Sequence, residues 1–178
     1  MALTATIFNF DIDLADHDRG VYEALALRVA RHPSESEDYL LTRVLAYALE
    51  YGEGIAFSKG LSEPDEPAIT IRDLTGTIHS WIEIGTPDAD RLHRASKIAA
   101  RVAVYPHKDP TQFLSRLDGA RIHRAETIEV LAIDRRLLGL MTSRLDRRMS
   151  FSLGVSDREL FVSLGADTLT GSVERLHL

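Results

Sequence analysis

Three carboxylates near the middle of the chain have the types and spacing to do chemistry: Asp65, Glu66 and Glu83. Asp65 and Glu66 precede a β-rich run, Ala68-Ile69-Thr70-Ile71-Arg72-Asp73. Glu83 lies late in a second run, Thr77-Ile78-His79-Ser80-Trp81-Ile82-Glu83-Ile84-Gly85. The polar, glycine-containing segment 73–76 between them predicts a hairpin turn. Antiparallel pairing across that turn puts Glu83 opposite Glu66, within one position. An acidic residue at the start of one strand then faces a glutamate on the next, which is one way to build a divalent-metal site. Upstream, Ser34-Glu35-Ser36-Glu37 reads as a capping box, Ser34 with Glu37. That leaves Glu35 without a capping task and makes it a candidate outward-facing functional carboxylate. The same acids have a structural reading, in which Glu83 with Arg91 or Arg94, and Glu35 with Arg43, are ion pairs that fix the fold.

The elements that must position these residues belong to one domain of 178 residues, 44% hydrophobic and 27% charged, as expected of a soluble globular protein. A formal charge of −6 gives no global attraction to nucleic acid, and a local basic patch is the remaining route to such a partner. The absence of cysteine excludes disulfides, thiolate catalysis and Cys-ligated zinc, and fits a cytoplasmic location. No basic segment followed by an apolar run opens the chain, so no signal peptide is expected. No run of about 18 apolar residues predicts a membrane span.

In chain order, alternation over 3–14 predicts a long strand. Asp18 then caps a helix from about Arg19, with Tyr22, Leu25, Ala26, Val29 and Ala30 as its apolar stripe. Pro33 ends that helix, and a second helix runs from the capping box to Gly52. Residues 55–59 form a short strand, and a proline-rich connection over 62–67 leads to the hairpin. Pro87 and Asp88 open a helix in its first turn. On that helix Arg91, Arg94 and Arg101, with Lys97 close by, fall near one face among Leu92, Ala95, Ile98, Ala99 and Val102. Residues 102–106 form a buried strand that returns parallel to its predecessor. A short helix over 109–117, a strand over 127–133, a helix over 134–145 and a β-meander over 148–176 complete the chain. The seven histidines lack His-x-x-x-His spacing, so zinc is not indicated. Tyr105 and His107, at the carboxyl end of a parallel-type strand, are second-rank site candidates. No phosphate-binding glycine loop, nucleophile elbow or dinucleotide fingerprint is present.

Several blocks together resemble the YaeQ family, a compact variant of the PD-(D/E)XK nuclease fold: residues 2–7, Arg31-His32-Pro33-Ser34-Glu35, Asp65-Glu66-Pro67, Trp81-Ile82-Glu83-Ile84-Gly85 with Pro87-Asp88, Arg91, and Asp146-Arg147. The resemblance covers nearly the whole chain. It implies an α+β domain with a mixed, curved sheet, a restriction-endonuclease-like core of helix, three strands, helix and strand, an added N-terminal strand and a C-terminal meander. It also implies Mg²⁺-dependent phosphodiester hydrolysis, in which the metal activates water and neutralises charge on the phosphate. Carried over by position, Asp65 or Glu66 takes the first metal-ligand role, Glu83 the second, and Glu35 that of an auxiliary carboxylate. The superfamily's lysine, two residues after the second acid, is Gly85 here. The basic role therefore moves to the following helix, to Lys97 or Arg94. An arginine there holds phosphate but cannot act as a base. The alternative is a non-catalytic nucleic-acid- or protein-binding protein on a nuclease-derived scaffold, with nucleic acid meeting the basic helix face.

Overall fold

The structure, a computed structural model, describes residues 4–58 and 65–178. The first half of the chain contains β1 (Thr6–Asp16), β2 (Val21–Arg31), α1 (Glu37–Leu49), β3 (Ile55–Phe57), β4 (Ile69–Arg72), β5 (Ile78–Ile84) and α2 (Ala89–Ile98). The second half contains β6 (Arg101–Tyr105), α3 (Pro110–Leu117), β7 (Glu129–Ile133), α4 (Arg135–Thr142), β8 (Arg148–Ser156), β9 (Glu159–Leu164) and β10 (Asp167–Leu176). The expected mixed α+β class is what the chain adopts. The elements fall into two compact units, one from 1–41 with 133–173 and the other from 42–132 with 174–178.

In the first unit the strand order is β2-β1-β8-β9-β10. β1 runs parallel to β8 and antiparallel to β2, and the meander from β8 to β10 is antiparallel, as predicted. Along β1 the side chains alternate strictly, with Phe8, Phe10, Ile12 and Leu14 buried and Asn9, Asp11 and Asp13 exposed. The helix expected from Arg19 is instead β2, paired to β1 from Val21↔Asp16 to Arg31↔Thr6. Its buried residues, Leu25 and Val29, are four apart. Four is a multiple of the strand period of two as well as close to one helical turn, so spacing alone does not separate the cases. Asp18 therefore caps no helix. Its carboxylate accepts from the backbone N–H groups of Asp157 (2.7 Å) and Arg158 (2.9 Å) in the β8–β9 turn. Both turn residues have positive φ, 50° and 62°, as a two-residue hairpin turn of the mirror-image type requires. Asp134 caps α4 by accepting from Arg136 and Leu137 N–H.

In the second unit the order is β7-β6-β5-β4-β3. β4 and β5 form the expected hairpin, and β5, β6 and β7 run parallel. α1 starts within the 1–41 segment of the first unit and runs on into the second; it begins at Glu37 with Ser36, not Ser34, as the capping hydroxyl, accepting from Tyr39 N–H at 3.1 Å. Ser34 instead meets His32 Nδ1 at 2.7 Å. α2 is capped by Asp88, whose carboxylate accepts from Arg91 N–H, so Pro87 precedes the cap. α2 ends at Ile98. Arg101, expected on this helix, therefore opens β6. Trp81, Val102, Val104 and Val130 from the sheet, Leu92, Ala95 and Ala99 at α2, and Phe113 and Leu117 of α3 make one apolar core. The strand candidate at 55–59 ends at Phe57 in β3, with Lys59 outside the described residues, as are residues 62–64 of the proline-rich connection. No helix among the described residues is long and apolar enough to cross a membrane.

Candidate functional site

Glu83 sits in β5 with its neighbours Trp81 and Ile84 buried. Parallel pairing places Trp81 beside Val102 and Glu83 beside Val104, on the sheet face that packs against α2 and α3. A charge on this face costs several kcal/mol unless it is paired. Its Oε1 accepts from the Trp81 indole N–H at 2.7 Å and from Arg91 Nε–H at 2.5 Å. Arg91 stands in the first turn of α2, where the Asp88 cap fixes the backbone. Its guanidinium also donates to the backbone carbonyl of Glu66 at 2.7 Å and lies 5.8 Å from the Trp81 ring centroid. One arginine thus ties the entry to β4, the middle of the sheet and the start of α2 together. Glu83 is 5% exposed.

The other predicted site residues fall as follows. Glu66 is half-buried beside this clamp through its backbone, and Asp65 is exposed. The expected pairing of Glu83 with Glu66 is displaced. Ile69 pairs with Ile82, which extends to Glu83 opposite Ala68, two positions from Glu66. Two local features cause the slip. The turn closes over 73–77, with Asp73 Oδ1 accepting from Thr75 and Thr77 N–H, and a bulge follows between Ile71 and Arg72 that skips His79. The Thr75 hydroxyl, with those N–H groups, holds the Asp73 carboxyl below its usual range. Glu35 is 6% exposed and does not face outward. Its backbone carbonyl accepts from Arg31 Nε–H. Arg94 and Lys97 are exposed on α2. Gly85 has φ 105° and donates its N–H to the Tyr105 carbonyl at 2.9 Å. That conformation strongly disfavours any side chain, so a lysine at this position would be strained. Among the described residues no three His, Asp or Glu side chains gather as a metal-ligating group.

The opposite sheet face carries a second charged network that sequence reasoning missed. Arg101 at the start of β6 donates to both oxygens of Glu50 (2.7 and 3.0 Å) and both of Glu129 (3.2 and 3.0 Å). The Tyr105 hydroxyl donates to Glu50 Oε1 at 2.6 Å, and Arg175 lies 3.8 Å from Glu129. Burial, then the Glu50 carboxylate, push the Tyr105 phenol well above its usual range, so it remains a donor. Burial disfavours the Arg101 charge, but hydrogen bonds to Glu50 and Glu129 outweigh it and raise its pKa. Burial raises Glu129 too, but the hydrogen bond and charge of Arg101 hold its carboxyl below the usual range. Tyr105, expected near a ligand site, is thus engaged in packing and in this network. The available signal was a lone charge at the start of each of two apolar runs, Arg101 and Glu129, with opposite signs. Parallel pairing (Ala103↔Glu129) places them on one face.

Comparison with known proteins bears on the family and the fold. The family model described as YaeQ protein matches residues 1–173. The relative described as "Uncharacterized protein YaeQ" from Escherichia coli (strain K12) is 30% identical over 164 residues, 92% of this chain and 91% of the relative. Its counterpart in Salmonella typhi is 31% identical over the same shares. The crystal structure of the YaeQ protein from Pseudomonas syringae superposes with a TM-score of 0.85 at 30% identity, covering 98% of this chain and 97% of that one. The Xanthomonas axonopodis pv. citri YaeQ structure gives 0.88 at 28% identity, covering 98% and 99%. The matched family, the shared length and the shared fold lead to one conclusion: this chain belongs to the YaeQ family.

Proposed function

We propose that this protein is a binding or regulatory protein on a nuclease-derived scaffold, in which the inherited acidic position holds the fold together and does not run a hydrolysis. The observation that carries this reading is the clamp on Glu83: a buried carboxylate whose Oε1 already receives the Trp81 and Arg91 donors. Mg²⁺ demands close to octahedral oxygen coordination and is repelled by a guanidinium against its carboxylate. The donor set as arranged therefore does not fit the ion, and Gly85 supports the same reading by standing, at a φ that disfavours side chains, where a catalytic lysine would be needed. Calorimetric titration with Mg²⁺ and Mn²⁺, together with incubation of the full chain with single- and double-stranded DNA and RNA, tests it. The expected result is no heat and no cleavage above background. Mg²⁺-dependent cleavage that disappears in Glu83→Gln would overturn it.

A second reading, Mg²⁺-dependent phosphodiester hydrolysis with Asp65 or Glu66 and Glu83 as ligands, is favoured by one observation. Arg91 links the Glu83 carboxylate to the Glu66 carbonyl, so two expected acidic positions converge on one cation. That reading requires Arg91 to release Glu83, with Lys97 or Arg94 at the phosphate.

A further inference from the structure

The chain as a whole is acidic, but its charge is segregated. Between residues 91 and 124 stand eight Lys and Arg against two carboxylates, Asp109 and Asp118, whereas the remainder carries 13 against 25. Arg91 and Arg101 are spent on Glu83, Glu50 and Glu129. Arg94 and Lys97, three apart on α2, share a helix face and are exposed, and among the described residues neither is ion-paired.

A second segment is stitched to this face. His123 N–H donates to His93 Nδ1 at 3.1 Å, and the two imidazoles meet edge-on at 6.3 Å. Arg124, at φ 49°, donates from its guanidinium to the carbonyls of Ser96 and Ala99, closing the C-terminal end of α2. Ile122 packs on the apolar core, which anchors the loop while Arg121 and His123 on either side of it stay exposed. These contacts hold the loop backbone in place before any partner arrives, which reduces the ordering entropy that opposes binding.

We infer that the surface of α2 with the 121–124 loop, carrying Arg94, Lys97, Arg121 and the outer part of Arg124, binds the phosphodiester backbone of a nucleic acid. Cations from two chain segments, none of them in an ion pair among the described residues, match a linear polyanion and supply affinity without reading sequence. The acidic remainder repels the strand elsewhere and confines it to this surface. This deepens the binding reading above by naming its partner.

The test is anisotropy of a labelled oligonucleotide, as single strand and as duplex, titrated with the full chain over a salt series. Arg94→Glu/Lys97→Glu is expected to weaken binding by about tenfold or more and to make the log K against log salt slope shallower by about two. Arg121→Glu is expected to take about one from the slope. Arg135→Glu/Arg136→Glu, exposed on α4, should leave both unchanged, and an unaltered Trp81 emission certifies each variant's fold. No binding by the wild type, salt-independent binding, or reversals without effect would overturn the inference, as would equal binding to poly-glutamate or to phosphatidylserine vesicles. Cleavage of the bound strand in Mg²⁺ would overturn the non-catalytic reading and leave this surface standing. Absence of binding with the Glu83 clamp intact would do the reverse.

Discussion

The Glu83–Arg91 clamp makes a stability prediction that a surface ion pair would not. Removing Arg91 as Arg91→Ala leaves a carboxylate that is 6% exposed in its side chain with the Trp81 indole as its remaining clamp donor. Breaking a fully buried pair costs about 3–5 kcal/mol. The Arg91 side chain is 23% exposed, so water screens part of the interaction and the low end, about 3 kcal/mol, is expected. Glu83→Gln keeps an oxygen for Trp81 and Arg91 but loses the charge, and about 2 kcal/mol is expected. The Glu83→Gln/Arg91→Ala double variant should cost clearly less than the two singles together, because the partner left behind is no longer charged. Trp81 is the only tryptophan and its N–H is part of the clamp, so urea unfolding followed by its fluorescence reads the right place. For a chain of this length about 3 kcal/mol also lowers Tm by roughly 6–12 °C. Singles that each cost under about 1 kcal/mol and add without coupling would match an exposed pair and refute the clamp.

Three further outcomes are expected. Arg101→Met leaves Glu50 buried beside Tyr105 without its cation and should cost about 3 kcal/mol in urea unfolding, whereas Tyr105→Phe should cost about 1.5 kcal/mol. Gly171→Ala in β10 brings a Cβ to 2.8 Å from Leu137 Cβ and 2.9 Å from Asp134 Cβ, so overpacking against α4 should cost about 1–3 kcal/mol in the same assay. Asp18 has its carboxyl held below the usual value by the Arg158 and then the Asp157 N–H bonds. A depressed folded value means its contribution is complete above the unfolded carboxyl range and is lost as pH falls through the folded value. Amide NMR signals of Asp157 and Arg158 should therefore titrate together with a midpoint below the ordinary Asp value of about 3.9, and Asp18→Asn should abolish that titration.

The legible parts of the chain were those governed by local rules. The helices over 109–117 and 134–145, the existence of a hairpin across 73–76, the parallel return of β6 and the terminal meander each follow from neighbouring residues and were read correctly. β2 was not, because Leu25 and Val29 satisfy both periods and the choice depends on β1 lying alongside. The capping serine moved by two residues because two serines two apart offer the same hydroxyl.

What the amino-acid sequence determined by itself is the family, the α+β class and the presence of acids at 65, 66 and 83 with bases on the next helix. What the tertiary structure decided is how those charges are used. The turn over 73–77 and the bulge after it together shifted Glu83 by two positions, a left-handed Gly85 disfavoured a lysine, and Arg91, carried by the start of α2, became the partner of Glu83 among the two candidates the sequence offered. It likewise brought Glu50, Arg101 and Glu129 together at one sheet face across 51 and 28 positions of sequence. Local rules act over a few residues, whereas the energy of a buried charge depends on whichever group the fold brings within about 3 Å.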